Sequence, residues 1–373
     1  MGVIDFEKMK NTFALLSAGI VVCLLASSVA AVGIPQNILP FASSQASPEL
    51  SAIRDQRLFD FQHHVPVSPL SIYHSYAEMT SLLFNLAANH SDIMTVTSLG
   101  KTYEGRDLWL VKLSDNVTQE EREPEVLFLG SHHGNERPGY EVLIYFIQYM
   151  VNYYQNTSAV QDAIDTTQIY IIPMMNPDGV EAGTRKNLEP NHGPFGFSST
   201  VTSVGVDLNR NYAGAWFLLF LRPLFYRSTS YHDASDVYRG PHPFSENETQ
   251  AVRQFVETHN VSISIDYHTY GELILYPWGS SRLRTKDAGV FASIGENISQ
   301  LDNYTSEQSV FLYPTLGDSC DWMYATHHIL AFTIELGTSY APENPTVLHK
   351  MSVDHTKVNL YICQRVLGIA EKR

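Results

Sequence analysis

The chain has 373 residues, of which 44% are hydrophobic and 17% are charged, a composition typical of a globular protein with a large core and not of a disordered one. Its formal net charge is -15. Recognition of a phosphate backbone needs a basic surface, so this charge argues against nucleic acid as the natural partner.

The first 34 residues have the arrangement of a secretory signal. Lys8 and Lys10 precede an apolar run, and small residues follow at positions 26–31. We expect cleavage in this small-residue stretch, although the run over residues 13–34 is also long enough to remain as a membrane anchor. Residues 35–72 are polar and irregular, and we interpret them as a linker or short pro-segment that precedes one domain over residues 73–373.

Export is also indicated by N-x-S/T sequons, which predict a secreted or cell-surface glycoprotein. The seven sequons begin at Asn89, Asn116, Asn156, Asn247, Asn260, Asn297 and Asn303. Of the three cysteines, Cys23 lies in the signal segment. A disulfide between the other two, Cys320 and Cys363, is neither required nor excluded by the sequence.

Regular periodicity begins at Ser75. The stretch "SYAEMTSLLFNLAA" predicts a helix with Met79 and Leu83 on one face, and "VTSLGKTYEGRDLWLVKLS" predicts a hairpin that turns at Glu104. Next, "EVLFLGS" and "QIYIIPMMNPDG" predict two buried strands with a helix, "GYEVLIYFIQYMVNYY", between them.

The second half of the chain continues the alternation. "SENETQAVRQFVETH" predicts a helix that opens with a capping box from Ser245 to Glu248. "VSISIDYH" and "ILAFTIELG" predict two further buried strands, and a last helix is expected from about Pro345. Nearly continuous apolar strands alternating with helices indicate an α/β fold, a mixed and mostly parallel twisted sheet with helices on both faces.

One apolar segment, "AWFLLFLRPLFY" at residues 215–226, interrupts this pattern. We interpret it as a buried loop or short helix. The alternative is an exposed apolar rim that touches a membrane or a bulky substrate, although the segment is too short to span a bilayer.

Potential metal ligands follow or end the predicted strands. His133 and Glu136 form an H-x-x-E pair directly after "EVLFLG", and His268 ends "VSISIDYH" at the same expected edge of the sheet. An H-x-x-E pair alone occurs often by chance, but two imidazoles and a carboxylate are a donor set of catalytic zinc sites. Glu335 ends "AFTIELG", a costly place for a charge, where it could serve as a general base.

Eight stretches carry a family resemblance from about residue 73 to the C-terminus. They are, in chain order, "HHGNE", "NPDG", "TRKN", "GVDLNRN", "YRGPHPFSE", "SIDYHTYGELILYPWG", "DWMY" and "FTIELG". On these stretches the chain resembles the zinc metallocarboxypeptidases of the carboxypeptidase A/B type. The resemblance implies their fold, one zinc ion per chain, and hydrolysis of the C-terminal peptide bond by water that the metal and a glutamate promote.

Residue roles follow from the resemblance position by position. His133, Glu136 and His268 match the zinc ligands, and Glu335 matches the general base. Arg185 matches the arginine that stabilises the oxyanion, a role that suits a fixed cation.

Further matches concern substrate binding. Asn209 and Arg210 match the pair that binds the terminal carboxylate, a task suited to the guanidinium fork. Asp207 matches the carboxylate that orients the first zinc histidine. Tyr313 lies 22 positions before Glu335, the family's separation for the mobile tyrosine that closes over substrate.

The specificity pocket is defined least by the resemblance. "LGDSCDW" is expected to line it, with Cys320 at the position that is apolar in A-type and acidic in B-type enzymes. A neutral cysteine favours an apolar terminal residue, whereas Asp318 and Asp321 could accept lysine or arginine. We therefore expect dual specificity.

Two alternatives keep the fold but change the function. One is a zinc hydrolase of cell-wall peptides that end in a D-residue or diaminopimelate. The other is a non-catalytic surface glycoprotein, which predicts the loss of a ligand or of the base, and none is missing. For the lead interpretation we expect a monomer that acts on peptide or protein C-termini, attached to a membrane through the N-terminal segment if that segment is not cleaved.

Overall fold

The computed structural model describes residues 72–193, 195–214 and 228–370. The predicted signal or anchor, the linker up to residue 71 and the apolar segment 215–226 lie outside these residues. Within the described part of the chain, no helix is both long and apolar enough to cross a membrane.

A mixed eight-stranded sheet forms the centre of the described region. The strands in chain order are β1 (Met94–Lys101), β2 (Asp107–Leu113), β3 (Glu125–Gly130), β4 (Gln168–Ile172), β5 (Pro190–Asn191), β6 (Ser203–Val204), β7 (Val261–His268), β8 (Leu273–Tyr276), β9 (Thr305–Gln308) and β10 (Leu330–Glu335). The sheet has the order β1-β2-β4-β3-β7-β10-β8-β9, and β5 pairs with β6 separately. Its central strands β4, β3, β7 and β10 are mutually parallel, whereas β1, β2 and β8 join by antiparallel pairing.

Helices connect these strands, four of them where the sequence pattern predicts a helix. They are α1 (Tyr76–Asn89), α2 (Pro138–Tyr153), α3 (Ser158–Thr166), α4 (Pro177–Ala182), α5 (Asn247–Thr258), α6 (Ala288–Asp302), α7 (Ser319–His327) and α8 (Pro345–Ala370), with 3₁₀ turns at Leu208–Arg210 and Ser309–Phe311. The first helix begins at a capping box formed by Ser75 and Glu78, which satisfies backbone N–H groups that the helix leaves free.

Both faces of the sheet are buried, as predicted. Along β3, Val126 and Phe128 pack into a cluster with residues of α2, α6 and α8, while Leu127 and Leu129 point to a second cluster with α5 and α7. This alternation follows from the two-residue period of a strand. The mixed sheet with helices on both sides confirms the predicted fold class.

The predicted capping box at α5 is wrong. The N-cap residue is Glu246, and no side chain caps the helix. The hydroxyl of Ser245 instead accepts a hydrogen bond from Asn211 Nδ2 at 2.8 Å and donates to Glu246 Oε1 at 2.5 Å. The Ser245 hydroxyl is thus bound to tertiary partners and does not cap α5. On one face of this helix, Val252, Phe255 and Val256 are buried.

Candidate active site

Three parallel strands end together at one edge of the sheet. In the β10–β7 pair, Glu335 lies opposite His268, and in the β3–β7 pair Gly130 lies opposite Tyr267. The loop that carries His133 and Glu136 begins at Ser131, directly after the last residue of β3, Gly130. All four predicted ligand and base residues therefore lie at the carboxyl edge, where ligands collect in open α/β sheets.

The loop after β3 is held by close contacts. Ser131 adopts a left-handed backbone (φ 55°), and its hydroxyl donates to the carbonyl of Glu136 at 3.0 Å. Gly134 approaches Gly179 so closely that a Cβ would lie 2.1 Å from the Gly179 carbonyl carbon, so only glycine fits there. Asn176 of "NPDG" donates from Nδ2 to the carbonyl oxygens of His132 (3.3 Å) and Arg185 (3.2 Å), which ties two site loops together.

His133, Glu136 and His268 form a compact, buried donor group. His133 Nδ1 lies 2.8 Å from Glu136 Oε1, His268 Nδ1 lies 2.9 Å from Glu136 Oε2, and the two Nδ1 atoms are 3.1 Å apart. Two imidazole nitrogens and a carboxylate within reach of one point fit a zinc ion, with a fourth position left for water.

Each histidine of this group has a carboxylate on its outer nitrogen. His133 Nε2 lies 3.0 Å from Asp207 Oδ1, and His268 Nε2 lies 3.2 Å from Asp266 Oδ2. An outer N–H that donates to a carboxylate leaves Nδ1 deprotonated and directed inward, as metal binding requires. Burial would raise the pKa of Asp207, but Arg185 and His133 hold it well below its usual range.

A second set of residues, His132, Asp266 and His268, also has ligand atoms close together. His132 Nδ1 bonds Asp266 Oδ1 at 2.9 Å, and His132 Nε2 bonds the Tyr212 hydroxyl at 2.7 Å. Both sets are buried, and the set with His133 and Glu136 is the one that the family resemblance implies. The two adjacent histidines thus have different partners.

Arg185 lies beside the donor group. Its Nε and Nη2 donate to Asp207 Oδ2 at 3.0 and 2.8 Å, and its Nη1 lies 3.4 Å from Glu136 Oε1. Burial lowers the pKa of Arg185, but Asp207 and Glu136 outweigh it and raise the pKa. Its side chain is 24% exposed, so a permanent cation at the site remains accessible to a ligand.

Glu335 is buried at the end of β10, with 8% of its surface exposed. Burial raises the pKa of Glu335 to about 7; His268 opposes the rise and Glu136 adds to it. A carboxylate with a pKa near neutrality is suited to taking and returning a proton.

The predicted carboxylate-binding residues differ in their contacts. Asn209 Nδ2 lies 3.0 Å from His268 Nε2, and Asn209 Oδ1 accepts the Ser319 N–H at 2.9 Å, so Asn209 lies against the donor group. Arg210 is buried and donates from Nε to the carbonyl of Ser228 and from Nη1 to that of Asn209, each at 2.7 Å. Its described contacts are thus to backbone and not to the donor group.

Tyr313 follows the 3₁₀ turn before α7 and is 41% exposed. It is among the groups that act electrostatically on Arg185.

The predicted specificity residues lie at the start of α7. Asp318 caps this helix, with Oδ1 accepting the Asp321 N–H and Oδ2 accepting the Thr315 hydroxyl, each at 2.8 Å. The carboxylate of Asp321 accepts hydrogen bonds from the backbone N–H groups of Gly279 (2.8 Å) and Ser280 (2.9 Å). Cys320 is buried, and its thiol lies 3.1 Å from the carbonyl of Ala331 in β10. It forms no disulfide, and neither does the buried Cys363.

Two residues at the site escaped the sequence interpretation, Asp266 and the role of His132. A sequence signal for Asp266 exists, because an aspartate inside a buried strand is costly unless it has partners. The strand "VSISIDYH" also alternates, since Ile263, Ile265 and Tyr267 join the first hydrophobic cluster and the residues between them are polar.

The known proteins to which the chain is similar are carboxypeptidases. A family model described as zinc carboxypeptidase matches residues 79–351. A zinc carboxypeptidase of Saccharothrix mutabilis subsp. capreolus is 32% identical over 78% of this chain and 69% of its own length. Carboxypeptidase Z of Mus musculus is 32% identical, but the match covers 56% of this chain and only 32% of that protein. The fold is similar to that of carboxypeptidase A from Helicoverpa armigera, with a TM-score of 0.69 and 24% identity over 81% of this chain and 75% of that one.

Proposed function

The chain belongs to the zinc carboxypeptidase family, whose members are metal-dependent hydrolases acting on peptide C-termini, and from this premise we propose that His133, Glu136 and His268 hold its zinc ion. The observation that carries the proposal is the convergence of their three donor atoms, with each histidine backed by a buried carboxylate. Their arrangement supports a single ion with an open position.

The bound zinc would supply Lewis-acid chemistry that polarises a carbonyl and activates a water molecule. Glu335 is positioned to take the proton from that water and to give it to the leaving amine. Its raised pKa supports both steps, since the group can be ionised for the first and protonated for the second.

Arg185 would stabilise the negative charge that develops on the carbonyl oxygen. A guanidinium fixed by Asp207 needs little reorganisation as this charge forms. Asp207 thereby serves two partners, since it also fixes the ring of His133.

Substrate binding would begin at the terminal carboxylate. Asn209 lies beside His268, and Arg210 follows it in the same 3₁₀ turn, so we propose that the two side chains bind one substrate carboxylate together. The exposed Tyr313 would close over the bound terminal residue.

The side-chain pocket would accept both apolar and basic residues. A Cβ at Gly279 would lie 2.5 Å from Thr315 Oγ1 and 3.5 Å from Asp318 Oδ2, so only glycine fits beside this carboxylate. Within the described residues no cation pairs with Asp318. A lysine or arginine of the substrate would supply that partner. Asp318 is a better candidate than Asp321, because Asp318 accepts two hydrogen bonds, whereas Asp321 accepts three, from the N–H of Gly279 and from the N–H and hydroxyl of Ser280.

We further propose an extracytoplasmic location. Several sequon asparagines are exposed between helices and strands, among them Asn156, Asn260 and Asn303, where a glycan could be accommodated. Expression in a glycosylating host, followed by mass measurement before and after enzymatic deglycosylation, tests this.

The zinc site is tested by metal analysis. Purified protein should contain one zinc per chain, lose hydrolysis of C-terminal peptide bonds with a chelator, and regain it with Zn²⁺. His133→Ala should lose the metal, whereas His242→Ala, a change of an exposed histidine, should retain it. Zinc content unchanged in His133→Ala would refute the assignment.

A further inference from the structure

A series of four buried side chains in polar contact runs beneath the proposed metal site. The Tyr212 hydroxyl hydrogen-bonds His132 Nε2 (2.7 Å), His132 Nδ1 hydrogen-bonds Asp266 Oδ1 (2.9 Å), and Asp266 Oδ2 lies 3.2 Å from His268 Nε2. Each of the four residues is at most 2% exposed. Because this series of contacts ends on a proposed metal ligand, it can affect the metal site and does not only satisfy buried polar groups.

Asp266 is the centre of this arrangement. Its Oδ2 also accepts the Ser319 hydroxyl at 2.7 Å, so the carboxylate is held by a loop (His132), a neighbouring helix (Ser319) and its own strand. Asp266 and His268 are two residues apart on β7 and therefore face the same side of the sheet. The carboxylate thus lies directly behind the imidazole.

The proton positions follow from the carboxylate at the centre and from the metal site at one end. A carboxylate only accepts, so His132 Nδ1 carries the proton that goes to Asp266, and in the neutral ring Nε2 accepts from the Tyr212 hydroxyl. When His268 Nδ1 binds the metal, the ring proton lies on Nε2, where Asp266 Oδ2 can accept it. Asn209 Nδ2, 3.0 Å from Nε2, is a donor, because its amide oxygen accepts the Ser319 N–H, and so it cannot accept this proton.

From these contacts we infer that Asp266 is a positioning residue that fixes the ring and tautomer of His268, with His132 and Ser319 holding Asp266 in place. The inference rests on the proposed zinc site. It assigns His132 a function that neither the H-x-x-E pair nor the ligand set provides: support of the third ligand from behind. Asp207 and Asp266 then act in parallel, one on each histidine.

Asp266→Asn tests this, because the amide keeps the shape and removes the charge. Zinc affinity, measured by competition with a chromophoric chelator, should weaken about 10–100-fold. The absorption spectrum of the Co²⁺-substituted protein should also change, which a loss of stability alone would not cause. Asp302→Asn, a matched change of a buried aspartate outside the site, should leave both readouts unchanged.

Ser319→Ala, which removes one hydrogen bond to Asp266, gives a second and milder variant. It should weaken zinc binding a few-fold. If Asp266→Asn does not unfold cooperatively, the zinc affinity of Ser319→Ala tests the inference in its place. A folded Asp266→Asn with zinc affinity within twofold of the parent and the same Co²⁺ spectrum overturns the inference. If His133→Ala also binds zinc normally, the proposed metal site itself fails, which separates the two outcomes.

Discussion

Glu335 and His268 lie directly opposite each other, because β10 and β7 pair in parallel register and end at the same level. The proposed base and a proposed ligand are therefore held by neighbouring strands, about 4.8 Å apart. Sites built on strands are held more precisely than sites on loops. A water molecule between the donor group and Glu335 would need no loop movement to meet both.

Glu335→Gln should separate metal binding from hydrolysis. The amide fits the same space but cannot take a proton, so kcat should fall about 10²–10⁴-fold. Zinc content should remain at the level of the parent, because Glu335 is not in the donor group. Metal analysis and peptide hydrolysis on one preparation check this, and a kcat within tenfold of the parent would exclude Glu335 as the base.

Arg185→Lys should lower kcat about 10²–10³-fold, the cost of losing one oxyanion-stabilising donor. Lysine keeps the charge but loses the fork that binds Asp207 through Nε and Nη2. KM should change much less than kcat. Arg253→Lys is the control, since Arg253 pairs with Glu257 at the surface and lies over the Phe244 ring, and the substitution should leave activity unchanged. If Arg185→Lys and Arg253→Lys lowered kcat equally, Arg185 would not be the residue that stabilises the oxyanion.

The four parallel strands, the β1–β2 hairpin, four of the eight described helices and the candidate metal donors could be predicted from the sequence because their signals are local. His133, Glu136, His268 and Glu335 each follow or end an apolar run, and parallel strands bring such ends together. The family resemblance then supplied roles for Arg185 and the carboxylate-binding pair, which no periodicity indicates.

The supporting contacts could not be predicted in this way. Ser245 looks like a helix cap in the sequence, yet Asn211, 34 positions earlier, hydrogen-bonds its hydroxyl. His132 and Asp266 are 134 positions apart, and their contact exists only once β3 and β7 are adjacent. Such pairs depend on the register of the sheet, which a single sequence does not display.

Asp318→Asn should change which C-terminal residue is removed. The amide can still accept the Asp321 N–H but cannot pair with a cation. For a peptide ending in arginine, kcat/KM should fall about 10–100-fold, as expected for the loss of a charged hydrogen bond. For a peptide ending in leucine it should stay within about threefold by the same principle. Glu257→Gln is the surface control. If the parent cleaves no arginine-terminated peptide at all, dual specificity is wrong.

Asp302→Asn should make the free energy of unfolding less sensitive to a rise in pH from about 4 to 7. Burial raises the pKa of Asp302 to about 7, and Asp354 and Glu272 add to the rise. An unfolded aspartate has a pKa of about 3.9, so the stabilising contribution is present below pH 4 and is lost as pH rises towards 7, by up to about 4 kcal/mol. Asparagine keeps an oxygen for the Tyr304 N–H, which Asp302 Oδ1 accepts at 2.9 Å, and does not ionise. Relative to the parent, the variant should therefore gain unfolding free energy between pH 4.5 and 7.5 in urea titrations. Glu296→Gln on the same helix is exposed and should show no such gain, and parallel pH profiles for parent and Asp302→Asn would contradict the prediction.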